Sequence, residues 1–276
     1  MLEVLTAFVN IALSGGLPED VRPYLCGGRL VPLIKKDGGL RPLVVGEFLR
    51  SLVAKLAAHQ MSEAASALLP LQVGVAGKGP YMQAATLAVR SWAATMPEDH
   101  LILKIDVKNA YNSIHRHSCL EQVRKLCPEV LGWARWSHAG NSWLYLGRHI
   151  IECKTGVQQG DPLAPLLFSL GLHPAIEAIA DTPELRQLWY LDDGVLYGRA
   201  SVVAAAFVKL RAALFKIGLV PNLSKCEIYQ CGSSPPTGGL AGIEVVSDKD
   251  KWSYLGVPSL SRPPTLSRVC SAASRL

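Results

Sequence analysis

Three aspartates stand in apolar, strand-like surroundings, and this constrains the fold more than any other feature of the sequence. Asp106 ends a run of mostly aliphatic residues that is typical of a buried strand. Asp192 and Asp193 lie inside the segment 188–197, whose pattern predicts a strand, a turn at residues 193–194 and a second strand. Charges in such places need compensation, because burial and mutual repulsion both raise the pKa of a carboxyl group.

A divalent cation is one way to compensate adjacent carboxylates. Carboxylate oxygens are hard ligands, and they suit Mg²⁺ or Mn²⁺. The other interpretation is structural, because Asp-Asp-Gly is a favourable turn sequence in its own right. The segment 191–194, taken alone, leaves both interpretations open.

The composition excludes two broad classes of protein. Of the 276 residues, 49% are apolar and 18% are charged, which is the wrong balance for a disordered chain. The most apolar windows, 163–180 and 201–220, contain prolines or charged residues, so no membrane-spanning helix and no membrane partner are expected. The net charge is +6, and residues 22–55 carry seven Lys or Arg against two acids. This basic segment permits a polyanionic partner.

Strands and helices mix along the chain without strict alternation, which predicts an α+β fold. A hairpin is predicted at 30–45, because two strand-like segments flank a Lys-Asp-Gly-Gly turn. The other predicted strands are 101–107, 188–197 and 221–230, and the predicted helices are 48–69, 81–95, 163–180 and 202–217. A loop is predicted at 232–239, and a mobile tail is predicted at the end of the chain.

Three motifs occur in a fixed order: Asp-Val-Lys-Asn-Ala-Tyr at 106–111, Gly-Val-Gln-Gln-Gly-Asp-Pro-Leu at 156–163 and Tyr-Leu-Asp-Asp at 190–193. The series resembles the palm of a reverse transcriptase, most closely the enzymes of non-LTR retrotransposons. Flanking segments that resemble further motifs of the family are 35–43, 72–79, 218–225 and 254–256. The resemblance runs from about residue 30 to residue 256.

The resemblance implies a right-hand polymerase palm, in which helices pack on one face of an antiparallel sheet, and a reduced fingers subdomain. It divides the chain into a fingers-like segment at 1–100, a palm at 101–257 and a mobile tail at 258–276. A thumb is expected to be absent or truncated. A further domain or chain is therefore expected to supply the grip on duplex nucleic acid.

The resemblance also implies catalysis by two Mg²⁺ ions, with Mn²⁺ as a substitute. Such ions stabilise the attacking and leaving oxygens together when a primer 3′-hydroxyl attacks a nucleotide. Asp106 and Asp192 are the expected bridging ligands, and Asp193 is the expected ligand of the ion that carries the hydroxyl. Val107 is expected to add its backbone carbonyl. Lys225 is expected to protonate the departing pyrophosphate, unless it is an ordinary lysine of an exposed loop.

Nucleotide-binding residues follow from the same resemblance. Lys35 or Lys36 and Arg41 are expected to hold the triphosphate, because lysine offers a point charge and arginine a planar fork. Tyr111 is expected to lie against the 2′ carbon of the sugar and to exclude a 2′-hydroxyl. The alternative for this tyrosine is a place in the core.

Two further segments are expected to contact substrates. Gln159 and Gly160 resemble the residues beside the nucleotide and the template, where a glycine lets the backbone approach closely. Tyr254, Leu255 and Gly256 resemble a short hairpin that contacts the primer end. The expected partners are an RNA or DNA template with its primer, and deoxynucleoside triphosphates.

Rival interpretations remain within and outside polymerases. A viral RNA-dependent RNA polymerase is disfavoured, because that family carries a second Asp where this chain has Tyr111. A telomerase is disfavoured, because that family carries a large RNA-binding region that does not fit in this sequence. The main alternative is an inactive or fragmentary reverse-transcriptase-like protein that binds nucleic acid without polymerising. Seven cysteines without a CxxC pair favour an intracellular, reducing setting in either case.

Overall fold

The structure is a computed structural model that describes residues 1–35, 38–75, 80–180, 182–230, 232, 238–247, 252–255 and 257–258. Outside these residues lie Lys36, Gly256, residues 259–276 of the predicted tail, residues 76–79 of the segment 72–79 and most of the predicted loop at 232–239. Pro258, the first residue of the predicted tail, is instead part of a short strand. In the described residues no helix is long and apolar enough to cross a bilayer.

Helices and strands alternate irregularly along the chain. The helices are α1 (Leu2–Leu13), α2 (Arg22–Leu25), α3 (Phe48–Gln60), α4 (Ser62–Leu68), α5 (Tyr81–Ala94), α6 (Ala110–Ser113), α7 (Arg116–Leu126), α8 (Leu131–His138), α9 (Ala164–Glu177) and α10 (Ala200–Lys216). The strands are β1 (Gly28–Ile34), β2 (Leu40–Gly46), β3 (Gln72–Val73), β4 (His100–Ile105), β5 (Ser142–Leu146), β6 (His149–Cys153), β7 (Arg186–Tyr190), β8 (Asp193–Arg199), β9 (Glu227–Gln230), β10 (Glu244–Val246), β11 (Ser253–Tyr254) and β12 (Val257–Pro258).

A six-stranded sheet with the order β10-β9-β4-β8-β7-β3 forms the palm. Its four central strands pair in antiparallel fashion, as the sequence predicts. The two edge strands, β10 and β3, pair in parallel with their neighbours, so the sheet is mixed. The α+β class is confirmed, and the parallel edges were not predicted from the sequence.

Both faces of the palm sheet are covered. Side chains of β4 alternate between two clusters, with Leu101 and Leu103 in the larger one and Ile102 in the smaller one. Helices α9 and α10 supply much of the larger cluster, and α5 covers the opposite face. The resemblance implied helices on one face only, so the helix α5 on the opposite face was not predicted. Burial on both faces explains why β4 is almost continuously apolar.

A second sheet of four strands has the order β2-β1-β5-β6. The hairpin of β1 and β2 forms as predicted, and β5 runs parallel to the other side of β1. The predicted boundary at residues 100 and 101 put β5 and β6 in the palm, whereas their pairing places them in the sheet of the fingers hairpin. We call this sheet the fingers sheet.

Two local predictions from the sequence are wrong. The predicted helix 48–69 is divided at Met61, where α3 ends and α4 begins. The turn of the aspartate hairpin lies at Leu191 and Asp192, because Tyr190 pairs with Asp193. Gly194 is instead buried in β8, where an added Cβ would lie 2.5 Å from the Trp189 ring. Close packing therefore explains this glycine better than turn chemistry does.

A buried ion pair joins the fingers sheet to the palm. Nη2 of Arg50 in α3 donates to Oδ2 of Asp161 at 2.6 Å, and both side chains are only 4% exposed. Nη1 of Arg50 donates to the Cys26 carbonyl at 2.8 Å and to the side chain of Gln158. The Gln158 amide in turn donates to the Ser142 hydroxyl at 2.7 Å. This network connects α3, the C-terminal end of α2, β5 and the loop that precedes α9.

Replacement of Arg50 by Met should lower the free energy of unfolding by about 3–5 kcal/mol, because it leaves the buried Asp161 carboxylate without its cation. Urea unfolding followed by circular dichroism measures the change. The double variant Arg50→Met/Asp161→Leu should recover part of the loss, because no isolated charge remains. Arg148→Met, at an exposed arginine in the turn after β5, should change stability by less than about 0.5 kcal/mol. An equally small loss in Arg50→Met would contradict the role given to the ion pair.

Candidate active site

The pairing of β4 with β8 brings the predicted acidic residues to one end of the palm sheet. The last pair of this ladder is Ile105 with Gly194, so Asp106 leaves β4 beside the start of β8 at Asp193. Asp192 precedes it in the two-residue turn. The backbone at Asp106 is fixed from the other side, because its carbonyl accepts a hydrogen bond from the Asn222 amide at 2.8 Å.

The three carboxylates influence one another electrostatically. Burial raises the pKa of Asp192, and the nearby negative charge of Asp106 raises it further. Burial, followed by the charges of Asp192 and Asp106, raises the pKa of Asp193 to about 7. Positive charges oppose these shifts: Arg41 and Lys35 act on Asp192, and Lys104 and Arg41 act on Asp193. The basic hairpin of the fingers therefore acts electrostatically on the acidic end of the palm.

The chemistry of these donors suits a hard divalent cation, which would relieve the accumulation of negative charge. No three His, Cys, Asp or Glu side chains in the described part of the chain are arranged to hold one metal ion together. The carboxylates are thus close enough to interact but do not form an assembled cluster.

Tyr111 lies beside the acidic residues. Its ring stacks on Phe168 of α9, with the ring centroids 4.6 Å apart and the planes 8° from parallel. Burial raises its pKa, and the charge of Asp192 adds to the effect. The tyrosine is partly buried against the core and is also close enough to Asp192 for the aspartate charge to act on it. Its contact with the nucleotide sugar stays a prediction.

Gln159 and Gly160 lie against β2. The Val44 amide donates to the Gln159 carbonyl at 2.7 Å. Gly160 has φ of +111°, and an added Cβ would lie 2.3 Å from the Val44 carbonyl oxygen. Any side chain at position 160 would therefore push the palm loop away from the fingers. Close approach of the palm backbone to β2 explains the glycine, whereas the sequence predicted a close approach to nucleotide and template, which stays a prediction.

The remaining predicted residues lie around the same end of the sheet. The Tyr254 side chain is buried, and its hydroxyl donates to the Asp193 carbonyl at 3.3 Å, while Leu255 has a left-handed φ of 52°. A primer contact at this hairpin would therefore use its backbone or Leu255 rather than the tyrosine ring. Lys225 is exposed in the loop that carries Asn222.

Comparison with known families decides the identity of the fold. Residues 33–259 match the family described as reverse transcriptase (RNA-dependent DNA polymerase). The chain belongs to this family. The matched range of this reverse transcriptase agrees with the predicted resemblance, which ran from about residue 30 to residue 256.

The relatives of this reverse transcriptase come from retrotransposable elements, which confirms the predicted likeness to non-LTR enzymes. It is 28% identical to the retrotransposable element SLACS 132 kDa protein of Trypanosoma brucei gambiense, across 82% of this chain and 19% of that protein. It is 29% identical to the retrovirus-related Pol polyprotein from type-1 retrotransposable element R2 of Nasonia vitripennis, across 55% of this chain and 18% of that protein. The chain spans about a fifth of the length of these two relatives.

Solved structures with the same fold include two telomerases. The telomerase of Candida albicans, in complex with a TWJ fragment of telomeric RNA, has a TM-score of 0.59 and 12% identity over 85% of this chain and 46% of that chain. An apo telomerase of Candida tropicalis, truncated from its C-terminal domain, has a TM-score of 0.54 and 15% identity over 78% of this chain and 52% of that chain. At these identities the likeness shows the shared palm-and-fingers fold alone.

Several residues that shape this reverse transcriptase site were not singled out from the sequence. Phe168 supports Tyr111, and Gln158 is the buried member of the glutamine pair at 158–159. Arg116 of α7 donates to the Gly156 carbonyl at 2.8 Å and to the Cys153 carbonyl at 3.1 Å. The role of Asp161 could have been recognised from the sequence, because an acid immediately before an apolar helix needs either a cation as partner or a capping role.

The raised pKa of Asp193 predicts a specific pH dependence of stability in the absence of metal. Folding raises this pKa from 3.8 to about 7. The folded state therefore binds more protons than the unfolded state between these values, and stability falls as pH rises through this window. In EDTA, Asp193→Asn should be more stable than the wild type at pH 8 by about 1–3 kcal/mol, with little difference near pH 4.

Urea unfolding at a series of pH values measures this difference. Glu129→Gln, at an exposed acid, should keep the pH dependence of the wild type. If Asp193→Asn follows the wild type across the whole range, the carboxyl group does not have the raised pKa.

Proposed function

We propose that this chain catalyses RNA-directed DNA synthesis by adding deoxynucleotides to a primer 3′-hydroxyl. The observation that carries the proposal is the meeting of Asp106 with Asp192 and Asp193 at one end of the sheet in a member of the reverse transcriptase family. Burial and neighbouring negative charges raise the pKa of Asp192 and of Asp193, and such an arrangement is unfavourable in a protein without a compensating function.

We propose that Asp106, Asp192 and Asp193 hold two Mg²⁺ ions, together with the backbone carbonyl of Val107. Bound there, the ions would supply charge stabilisation for the attacking and leaving oxygens. Val107 forms an antiparallel bridge with Pro221, and the two hydrogen bonds of this bridge use the Asp106 carbonyl and the Lys108 amide. Neither bond uses the Val107 carbonyl, which is consistent with the proposed role.

The basic hairpin binds the triphosphate in this proposal. Lys35 and Arg41 are exposed, and their charges already act on Asp192. A nucleotide between the hairpin and the carboxylates would have its phosphates near these cations. Arg41 can donate two parallel hydrogen bonds to phosphate oxygens, whereas Lys35 supplies a mobile point charge. Lys225 is the proposed proton donor to the departing pyrophosphate.

Tyr111 selects the sugar in this proposal. Its stacking on Phe168 holds the ring in one plane beside Asp192, and a rigid ring excludes a substituent more strictly than a mobile one. A 2′-hydroxyl on the incoming sugar would meet the ring. Deoxynucleoside triphosphates are therefore the proposed substrates.

The proposed macromolecular partner is an RNA or DNA template with its primer. One structural neighbour, the telomerase of Candida albicans, is described in complex with an RNA fragment. A further domain or a second chain is the proposed source of the thumb. We also infer an intracellular place of action, since five cysteines of the described residues carry free thiols, which suits a reducing compartment.

Replacement of Asp192 by Asn should abolish primer extension, because a neutral amide cannot replace a charged metal ligand. The assay uses the purified chain, Mg²⁺, a primed RNA template and labelled deoxynucleotides. The expected loss is at least about 10³-fold. Asp20→Asn, at an exposed acid near the N-terminal end, is the matched control and should retain the wild-type rate.

Circular dichroism and urea unfolding should show that Asp192→Asn folds like the wild type. Full extension by this variant would exclude the metal assignment. Binding of primed template without extension by the wild type, under conditions that support other reverse transcriptases, would favour the alternative of a non-catalytic nucleic-acid-binding protein. This alternative is favoured by one observation, which is that the three carboxylates are not arranged to hold one metal ion together in the described part of the chain.

Replacement of Tyr111 by Ala should admit ribonucleotides, because the space for a 2′-hydroxyl opens. We expect the ratio of kcat/KM for a deoxynucleotide to that for its ribonucleotide to fall by about 10²-fold, equivalent to about 2.7 kcal/mol. Tyr111→Phe keeps the ring and should keep the wild-type ratio. A ratio that does not change in Tyr111→Ala would mean that the ring does not contact the sugar.

A further inference from the structure

Helix α10 has two apolar stripes on opposite sides. The residues of the first stripe are buried in the core: Val203, Phe207, Leu210 and Leu214. The second stripe consists of Val208, Ala212 and Phe215, which have the spacing i, i+4 and i+7. Val208 is 52% exposed and Phe215 is 74% exposed. A helix that packs on a core by one face normally has a polar opposite face, so the second stripe calls for a partner.

The second stripe lines a groove together with the segment 219–221, which follows the helix in the chain. This groove has a volume of about 310 Å³ and also contains Arg211. The Val220 side chain in it is 52% exposed. Backbone hydrogen bonds hold the segment in place, because the Val220 carbonyl accepts from the Lys108 amide at 2.9 Å and the Leu219 amide donates to the Leu214 carbonyl at 2.9 Å. We call this feature the α10 groove.

Exposed cations flank the second stripe on both sides. By helical geometry Lys209 and Lys216 lie on one side of the stripe and Arg211 lies on the other, where its guanidinium is 5.9 Å from the centre of the Phe207 ring. None of these three cations pairs with an acid among the described residues. The segment 200–226 contains no Asp or Glu. Helix α1 also exposes apolar residues, but it contains no Lys or Arg.

We propose that the α10 groove binds an amphipathic helix of a protein partner, with apolar side chains in the groove and carboxylates beside the flanking cations. Helix-in-groove recognition uses apolar anchors at i, i+3 or i+4, and i+7. The stripe from Val208 to Phe215 is about two helical turns long, or about 10 Å, so it matches such a set of anchors. Neither metal nor nucleotide takes part, so the proposal goes beyond the polymerase function.

Shape and chemistry favour an acidic protein helix over other anionic partners. The surface of a bilayer is broad and flat, whereas the ridge of a helix can enter a groove. Single-stranded nucleic acid binds through several aromatic rings on which bases stack, and the α10 groove has one ring, that of Phe215. Carboxylates on either side of an apolar ridge can reach Arg211 on one side of the stripe and Lys216 on the other. Arg211 can bind a carboxylate with two parallel hydrogen bonds.

Fluorescence anisotropy with synthetic peptides, in EDTA and without nucleotides, tests the proposal. The probe is a labelled peptide of about 18 residues, long enough to form a helix, with leucines at i, i+3, i+7 and i+10 and glutamates beside them. We expect the wild-type chain to bind it with a dissociation constant on the order of 10 μM, because the interface is small. A second peptide, in which lysines replace the glutamates, should bind at least about tenfold more weakly.

Variants of the groove should separate the apolar contribution from the charged one. Phe215→Ser and Val208→Ser should each weaken binding of the glutamate peptide about tenfold, while Phe215→Leu, which keeps an apolar side chain, should lose less. Arg211→Gln should narrow the difference in affinity between the two peptides. Leu87→Ser, at a leucine of α5 that is 52% exposed, is the matched control and should bind like the wild type.

Photocrosslinking gives a readout that needs no variant of the protein. The glutamate peptide with benzoylphenylalanine in place of one central leucine should crosslink to residues 208–221 of the wild-type chain, as determined by peptide mass spectrometry. Crosslinks only to other segments would overturn the proposal. Equal binding of the two peptides, or unchanged affinity in folded Phe215→Ser and Val208→Ser, would overturn it as well.

Further outcomes separate this proposal from its alternatives. If a short oligonucleotide or anionic vesicles lose affinity in Phe215→Ser while the glutamate peptide does not, the groove takes nucleic acid or a bilayer and the proposal is wrong. It is also wrong if the wild type self-associates in sedimentation and Phe215→Ser abolishes only that association. Asp192→Asn should bind the glutamate peptide like the wild type even though it is expected to lose extension. Failure of the polymerase function and failure of the α10 groove are therefore distinguishable.

Discussion

The antiparallel pairing of β4 with β8 is the constraint on which the site depends. Its register sets Asp106 beside Asp193, and a slip of one residue would exchange the two faces of β4. Such a slip is opposed from both sides, because Leu103 belongs to one buried cluster and Ile102 to the other. The packing of the palm thus enforces a meeting of like charges that electrostatics alone would avoid.

The fingers are connected to this site by few but specific interactions. Arg50 and Asp161 join α3 to the loop before α9, and the Val44 amide joins β2 to the Gln159 carbonyl. The same loop accommodates Tyr111, whose carbonyl accepts a hydrogen bond from the Val157 amide at 2.7 Å. One palm segment therefore positions both the basic hairpin and the aromatic ring, so the two are coupled through a shared backbone.

The sequence was sufficient to predict the features that depend on local patterns and ordered motifs. The hairpin of β1 and β2 and the main helices follow from apolar periodicity and turn signals, and the meeting of Asp106 with Asp193 was implied by the resemblance of the ordered motifs to those of reverse transcriptases. Features that depend on tertiary contacts could not be predicted. The turn at Leu191 requires a leucine with φ of 55°, which local propensity disfavours, and the pairing of β5 with β1 joins residues more than a hundred positions apart.

The contact between Gly160 and the Val44 carbonyl has a consequence for how the fingers can move. At this point the two backbones are so close that they leave no room for a side chain, and the adjacent hydrogen bond ties the edge of β2 to the palm. The base of the hairpin is therefore held against the palm at this point. The part of the hairpin beyond Leu43, which carries Arg41, lies outside this contact, so bending of the strand ends is the movement that the contact leaves open to the hairpin.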